Sequence, residues 1–343
     1  MKTSLVTGGA GFIGSHTVDT LLEMGHRVVV LDDLSGGFAQ NVLEKATFIE
    51  GSILDHNLIE DLFKKYRFNY VYHLAAYAAE GLSHFIRRFN YQNNLVGSVN
   101  LVNAAVNYDV ECFVFTSSIA VYGAGQSPMT ESLIPVPEDP YGIAKLAVEQ
   151  DLRVAHEMFG MDSIIFRPHN VYGTRQNIGD RYRNVVGIFM NQLLKGEPLT
   201  IFGDGEQQRA FSDISDVAPI IARSIEVPAA RNEVFNVGAD VPFTVNELAN
   251  VVSKAMGLPC KKIHLEPRNE VKIAFADHSK AHRIFAPLMA GRKHLSLEEG
   301  IRAMAAWVKT HGSRESGVFG AVEVPRNMPP SWAKAFASSE VVA

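Results

Sequence analysis

With 343 residues, 47% of them apolar, the chain can bury a large core as one domain or two closely packed ones. A formal net charge of -5 excludes a global basic field for nucleic acid or anionic lipid, and two cysteines, Cys112 and Cys260, exclude a disulfide framework or a thiolate zinc site. No apolar run reaches the roughly 18 residues of a membrane span, and the start MKTSLVTGG lacks a signal-peptide apolar region, so a soluble, cytoplasmic protein is expected.

The first strand is predicted at TSLVT, residues 3–7. It runs into TGGAGFIGSH, which sets Gly8, Gly11 and Gly14 between that strand and a helix over 11–25. The first glycine permits a tight turn, the second lets backbone approach a pyrophosphate, and the third lets helix and strand pack closely. Unpaired N–H groups at the helix start suit phosphate oxygens. The next strand, RVVVLD at 27–32, ends in Asp32. Its carboxylate is placed to bond an adenosine ribose 2′-OH and to repel a 2′-phosphate, so NAD is expected over NADP. Strands at TFIEG (47–51), YVYHLA (70–75) and CFVFTSS (112–118) alternate with helices over 55–66 and 93–109. Cys112, inside the apolar run, reads as a small core residue. Continuous apolar strands alternating with helices predict an α/β fold, a doubly wound parallel sheet covered on both faces.

The stretch PYGIAKLAVEQ opens a helix predicted from Pro140 to about Phe159, with Tyr141 and Lys145 on one face. A free tyrosine titrates near pH 10, so acting as a base near pH 7 requires about 4 kcal/mol of help. An adjacent ammonium supplies part of it and a cationic nicotinamide ring more. Thr116, Ser117 and Ser118 sit at the carboxyl edge of a strand, where open α/β sheets bind ligands, and a hydroxyl there can share a substrate oxygen with Tyr141. A further strand follows at DSIIFRP, 162–168. Beyond it the chain turns polar, with helices predicted at 185–195, 213–226, 244–256 and 296–310, forming a smaller cap over the strand ends. His278 and His282 lack the Glu and third ligand of a zinc helix, so no metal is expected and both read as solvated helix histidines. The tail NMPPSWAKAFASSEVVA is expected to be extended or frayed.

Taken with LDDLS, HLAA, TSSIAVYG, FRPHNVYGTRQ, FGDGEQQRAFSDISDVA, NVG and FADHSKA, these motifs span residue 3 to about 282. The sequence resembles the extended short-chain dehydrogenases/reductases of the NAD-dependent epimerase/dehydratase family, and is most similar to UDP-glucose and other UDP-hexose 4-epimerases. The resemblance implies a Rossmann-type NAD-binding domain over 1–170 plus about 213–240. A nucleotide-sugar-binding α/β domain would cover about 171–212 and 241–312, leaving 313–343 as a C-terminal tail. Ser118, Tyr141 and Lys145 match the catalytic set, with Tyr141 and Lys145 also at the cofactor. Gly8, Gly11, Phe12, Ile13 and Gly14 match the diphosphate loop, and Asp32 and Asp33 the ribose end of the second strand. Ser52 and Ile53 fall at adenine positions, although an aspartate is common in the place of Ser52. Leu74, Ala75, Ala76, Asn93, Thr116 and Pro168 fall along the dinucleotide, Pro168 and His169 near the nicotinamide. Asn170, Asn184, Arg209 and Arg268 match substrate diphosphate or uridine positions, as Ser118 does the sugar. A lysine of some epimerases is replaced by Ala78, and the loop at Arg268 is a residue short. A UDP-sugar partner and a homodimer through helices at 84–107 and 140–159 are also implied.

The two residues after Ser118 narrow the reaction. Dehydratases of the family resemble a pattern with Asp and Glu there, UDP-xylose-forming decarboxylases keep the Glu, and GDP-mannose 3,5-epimerases place a cysteine at the second. Here they are Ile119 and Ala120, which carry no proton. What remains is transient oxidation at C4. Ala274 would leave room for a 2-N-acetyl group, with Phe275 beside it as a counterweight, so UDP-GlcNAc/GalNAc stands beside UDP-Glc/Gal. UDP-glucuronate stays open through Arg175, Arg181 or Arg183. A net nucleotide-sugar dehydrogenase or reductase and a redox-inactive dinucleotide-binding regulator are the other readings.

Overall fold

The computed structural model describes residues 1–125, 127–268, 271–292, 294–315, 319 and 322–340. Its centre is a seven-stranded parallel sheet. The strands are β1 (Thr3–Thr7), β2 (Arg27–Asp32), β3 (Thr47–Glu50), β4 (Tyr70–His73), β5 (Cys112–Thr116), β6 (Ser163–Pro168) and a last strand, Glu233–Val237. From one edge the order is Glu233–Val237, β6, β5, β4, β1, β2, β3. The direction of winding therefore reverses between β1 and β4, and a crevice opens at the carboxyl ends of these two strands.

The two-residue side-chain period of the strands sorts the core onto opposite faces. Val28, Val30, Tyr72, Val114, Ile164 and Phe166 join one cluster; Val29, Leu31, Val71, Phe113, Phe115 and Ile165 join another. Helix α1 (Phe12–Glu23) and the helix Ile214–Arg223 cover the first through Val18, Leu21, Val217 and Ile221. The second is covered by α2 (His56–Tyr66) together with two longer-range neighbours. Those follow the short α3 (Glu80–Ser83) and α4 (Arg87–Tyr91) and are α5 (Gly97–Asn107) and α6 (Pro140–Phe159). Each aliphatic side chain buried this way contributes about 1.5–3 kcal/mol.

Local chemistry sets the helix that carries the tyrosine and lysine. The Asp139 side chain accepts from the Gly142 N–H at 2.9 Å, Pro140 occupies the first turn, and Gly160 ends the helix in the left-handed region. A separate core of Val186, Phe189, Met190, Leu199, Leu248, Val252, Ile301 and Met304 builds the cap. Its helices Val245–Met256 and Leu297–His311 each start with a complete capping box.

The tail departs from the extended chain expected of Pro-Pro. Residues Pro330–Glu340 form a helix, and Trp332 is buried among Leu82, Phe85, Ile86 and Tyr182. Pro330 does not break this helix because it stands at its first position, where its missing N–H has no partner to lose. His278 also departs from expectation. It precedes the helix Ser279–Ile284 and is fully enclosed, whereas His282 is exposed. No helix among the described residues is long and apolar enough to cross a membrane.

Candidate active site

A cleft of about 660 Å³ runs along the carboxyl ends of the sheet and under the cap. One end is the loop between β1 and α1. Gly8 takes φ +70°, and a Cβ on it would lie 2.6 Å from the Ala75 nitrogen; a Cβ on Gly14 would collide with the Gly8 carbonyl oxygen. The backbone is thus packed as closely as glycine allows, and α1 begins at Gly11 with no side-chain cap, leaving its N–H groups to a ligand.

Asp32 closes this end. One carboxylate oxygen accepts from the Ala10 N–H at 3.0 Å and the other from the Leu34 N–H at 2.9 Å. Burial raises its pKa, and those backbone bonds oppose the rise. Asp33 is exposed and accepts from Ser35. Ile53, Leu74, Ala75, Ala76, Asn93 and Pro168 line the cleft further on. Ser52 is the predicted residue that does not; its hydroxyl accepts from the Leu54 N–H at 3.2 Å and is spent on the turn before α2.

At the centre, Ser118, Tyr141 and Lys145 line one stretch of the cleft. The Lys145 ammonium donates to the Thr116 carbonyl at 2.8 Å and lies 5.8 Å from the Tyr141 ring centroid. Burial pushes Lys145 down to about 7, against the raising charge of Glu149. Burial raises Tyr141 well above its ordinary value, while a hydrogen bond with Ser118 lowers it and the charges of Asp139 and Glu80 add to the rise. Without a ligand, burial therefore disfavours both the tyrosinate and the ammonium.

Residues outside the sequence motifs hold this centre in place. On α6, one turn past Lys145, buried Glu149 accepts from Arg167 Nε at 2.9 Å and from the Ser117 hydroxyl, tying the helix to β5 and β6. Asn90 donates to the Pro140 carbonyl at 2.8 Å, and Asn94 exchanges two hydrogen bonds with the Tyr77 backbone. Both asparagines are buried, so they fix the loop after β4 against the start of α6. Polar residues four apart on an apolar helix, and an arginine inside IIFRP, were the available signals.

His169 is a lining residue, but both its ring nitrogens are committed. The Ala210 carbonyl can only accept, so His169 Nδ1 donates to it at 3.1 Å. His169 Nε2 then accepts from His278 Nε2 at 3.0 Å, and His278 Nδ1 donates to Asp240 at 2.6 Å. His278 thus bridges His169 and Asp240. Burial, then the charge of His278, push His169 down to about 3. His169 is thereby a neutral wall, not an acid.

The far end carries Asn170, Asn184, Arg209 and Arg268. Asn170 and Asn184 adopt positive φ of 40° and 63°. The Arg209 guanidinium is fixed by the Gln208 and Lys272 carbonyls at 2.8 and 3.3 Å. Arg181 and Arg183 line the cleft, Arg183 paired with Asp180 at 2.6 Å. Arg175 instead pairs with Asp19 on α1 at 2.7 Å. Thr116 Oγ1 is buried without a hydrogen-bond partner among the described residues, at the cleft wall. A glycine cradle, an aspartate at the second strand end on one side of it and an orphaned hydroxyl at the end of β5 on the other fit an extended dinucleotide.

The family model for the NAD dependent epimerase/dehydratase family matches residues 4–238. Among solved structures, the UDP-glucose 4-epimerase of Thermotoga maritima with UDP-glucose is 36% identical, with a TM-score of 0.84 over 90% of this chain and 99% of that one. The UDP-N-acetylglucosamine 4-epimerase of Methanobrevibacter ruminantium, in complex with UDP-N-acetylmuramic acid, is 32% identical with a TM-score of 0.82, again over 90% and 99%. The UDP-glucuronic acid 4-epimerase of Bacillus cereus, with UDP-glucuronic acid and NAD, is 30% identical with a TM-score of 0.81 over 90% and 99%.

Proposed function

The chain belongs to the NAD-dependent epimerase/dehydratase family, and from that membership we propose that it is a UDP-hexose 4-epimerase working through a transient 4-keto sugar. The observation that carries this is the convergence of Ser118, Tyr141 and Lys145 beside two apolar residues, Ile119 and Ala120, where elimination would need proton carriers. Tyr141 takes the proton of the 4-OH, and Ser118 holds the same oxygen. Lys145 regains charge as anionic phosphates enter and so makes the tyrosinate accessible. NAD, when bound along Gly8–Gly14, Asp32 and Thr116, supplies the acceptor for the C4 hydride and returns it. The ketone swings about its diphosphate link so that its opposite face would receive the returning hydride, and Tyr141 gives the proton back to the 4-oxygen. Asn170, Asn184, Arg209 and Arg268 grip the nucleotide diphosphate while the sugar stays free to turn.

The charges around the sugar favour a neutral hexose over a uronate. Glu80 and Asp139 act on Tyr141 as negative neighbours; the positive neighbour, Arg183, is already paired with Asp180, and Arg175 is occupied on α1. Ala274 lines the cleft and leaves room at the 2-position, while Phe275 faces an adjoining cavity. Incubating the chain with UDP-Glc, UDP-GlcNAc and UDP-GlcA, followed by anion-exchange separation, should give C4 epimers of the first two and little from the third. UDP-GlcA as the preferred substrate would reverse the assignment. Exposed Val96, Ile143, Val154, Met158 and Phe159 on the helical layer of α5 and α6 support pairing of two copies there.

A further inference from the structure

The substrate end of the cleft has one wall built by the C-terminal tail. Relatives covered over 99% of their length match only 90% of this chain, the share that a fold ending with the helix Leu297–His311 would supply. Beyond that helix, Arg314 and Asn191 exchange hydrogen bonds at 2.8 and 3.0 Å, and the Arg314 guanidinium lies 3.8 Å over the Phe38 ring. Glu323 accepts from the N–H groups of Arg88 and Phe89 at 2.7 and 2.9 Å, where α4 begins. The tail is thus fastened at both sides of the cleft before it enters the helix Pro330–Glu340.

Trp332 of that helix is only 5% exposed and lines the same cleft as Asn184 and Arg209. Its indole spans the opening. Phe85 lies 6.3 Å away on the sheet side; Tyr182 and Phe202 lie at 5.3 and 6.4 Å on the cap side. The Arg268 guanidinium is 4.1 Å from the Phe202 ring centroid and 5.6 Å from that of Trp332. A planar cation resting against two aromatic rings loses little freedom when it meets a phosphate. No hydrogen bond among the described residues uses the Trp332 indole N–H. That N–H reaches solvent at the cleft wall, where a nucleotide offers several acceptors.

We propose that Trp332 is a substrate-binding residue added by this chain's tail: it positions Arg268 against Phe202 and offers its indole N–H to the nucleotide half of a nucleoside-diphosphate sugar. The proposal rests on the UDP-sugar reading above. Its test uses the full-length holoenzyme and UDP as the probe. The chain has two tryptophans, and Trp307→Phe leaves Trp332 alone to report. Trp307 stacks on His311 at 4.3 Å, away from the cleft lining. UDP should change Trp332 emission with the midpoint found by calorimetry. Trp332→Ala should weaken UDP binding about tenfold and raise KM in step, with kcat within about twofold; Trp332→Phe should fall between. Wild-type binding of UDP with unchanged emission and an unchanged Kd in Trp332→Ala would overturn the proposal and leave the UDP-sugar reading standing. Failure of the wild type to bind UDP would remove both.

Discussion

Tyr141→Phe should lower kcat for C4 inversion by about 100- to 10,000-fold, the usual contribution of a positioned acid–base group. The change removes one hydroxyl and leaves the buried ring, so the fold and cofactor retention should persist. Ser118 would keep a hold on the substrate oxygen, so binding of UDP should change by less than about threefold. The expectation rests on what surrounds the phenol. His169 has both ring nitrogens committed, and Ile119 and Ala120 have no proton to move. Asp139 is enclosed and engaged by the Gly142 N–H. A Tyr141→Phe variant turning over within tenfold of the wild type would mean that another group carries the proton.

The second large effect is on stability. Glu149→Ala should cost about 3–5 kcal/mol in urea unfolding, because it strands a buried cation. The Arg167 and Glu149 side chains are 5% and 3% exposed. Losing the carboxylate leaves Arg167 without its anion and the Ser117 hydroxyl without its acceptor. Replacing both members of the pair by methionine should recover much of the loss, since apolar residues of similar size need no solvation. A cost below about 1 kcal/mol for Glu149→Ala would show that α6 does not depend on this tie.

The cradle could be read from sequence because each glycine answers a backbone demand: a positive φ at Gly8 and close contact at Gly14. The tyrosine and lysine could be read because four residues make one helical turn. Less was legible where burial depends on distant partners. His278 and His282 have the spacing of an exposed helix pair, yet His278 is enclosed by His169, 109 positions earlier, and by Asp240. Nothing local to HSKAH announces that. The tail's Pro-Pro signals a break when read alone, and becomes a helix start once Trp332 has Tyr182 and Phe85 to pack on. Ser52 stands off the cleft lining with its hydroxyl used by the turn before α2, a local bond that its position alone does not show.

Transient oxidation at C4 with return of the same hydride is the central claim, and an isotope at that carbon tests it most directly. UDP-glucose deuterated at C4 should be incubated with the purified chain in ordinary water, and the product examined by mass spectrometry and NMR. The account predicts the C4 epimer with its deuterium retained at C4 and no net reduction or oxidation of NAD. An epimer that has lost its deuterium to solvent, or label that accumulates in the cofactor, would contradict it.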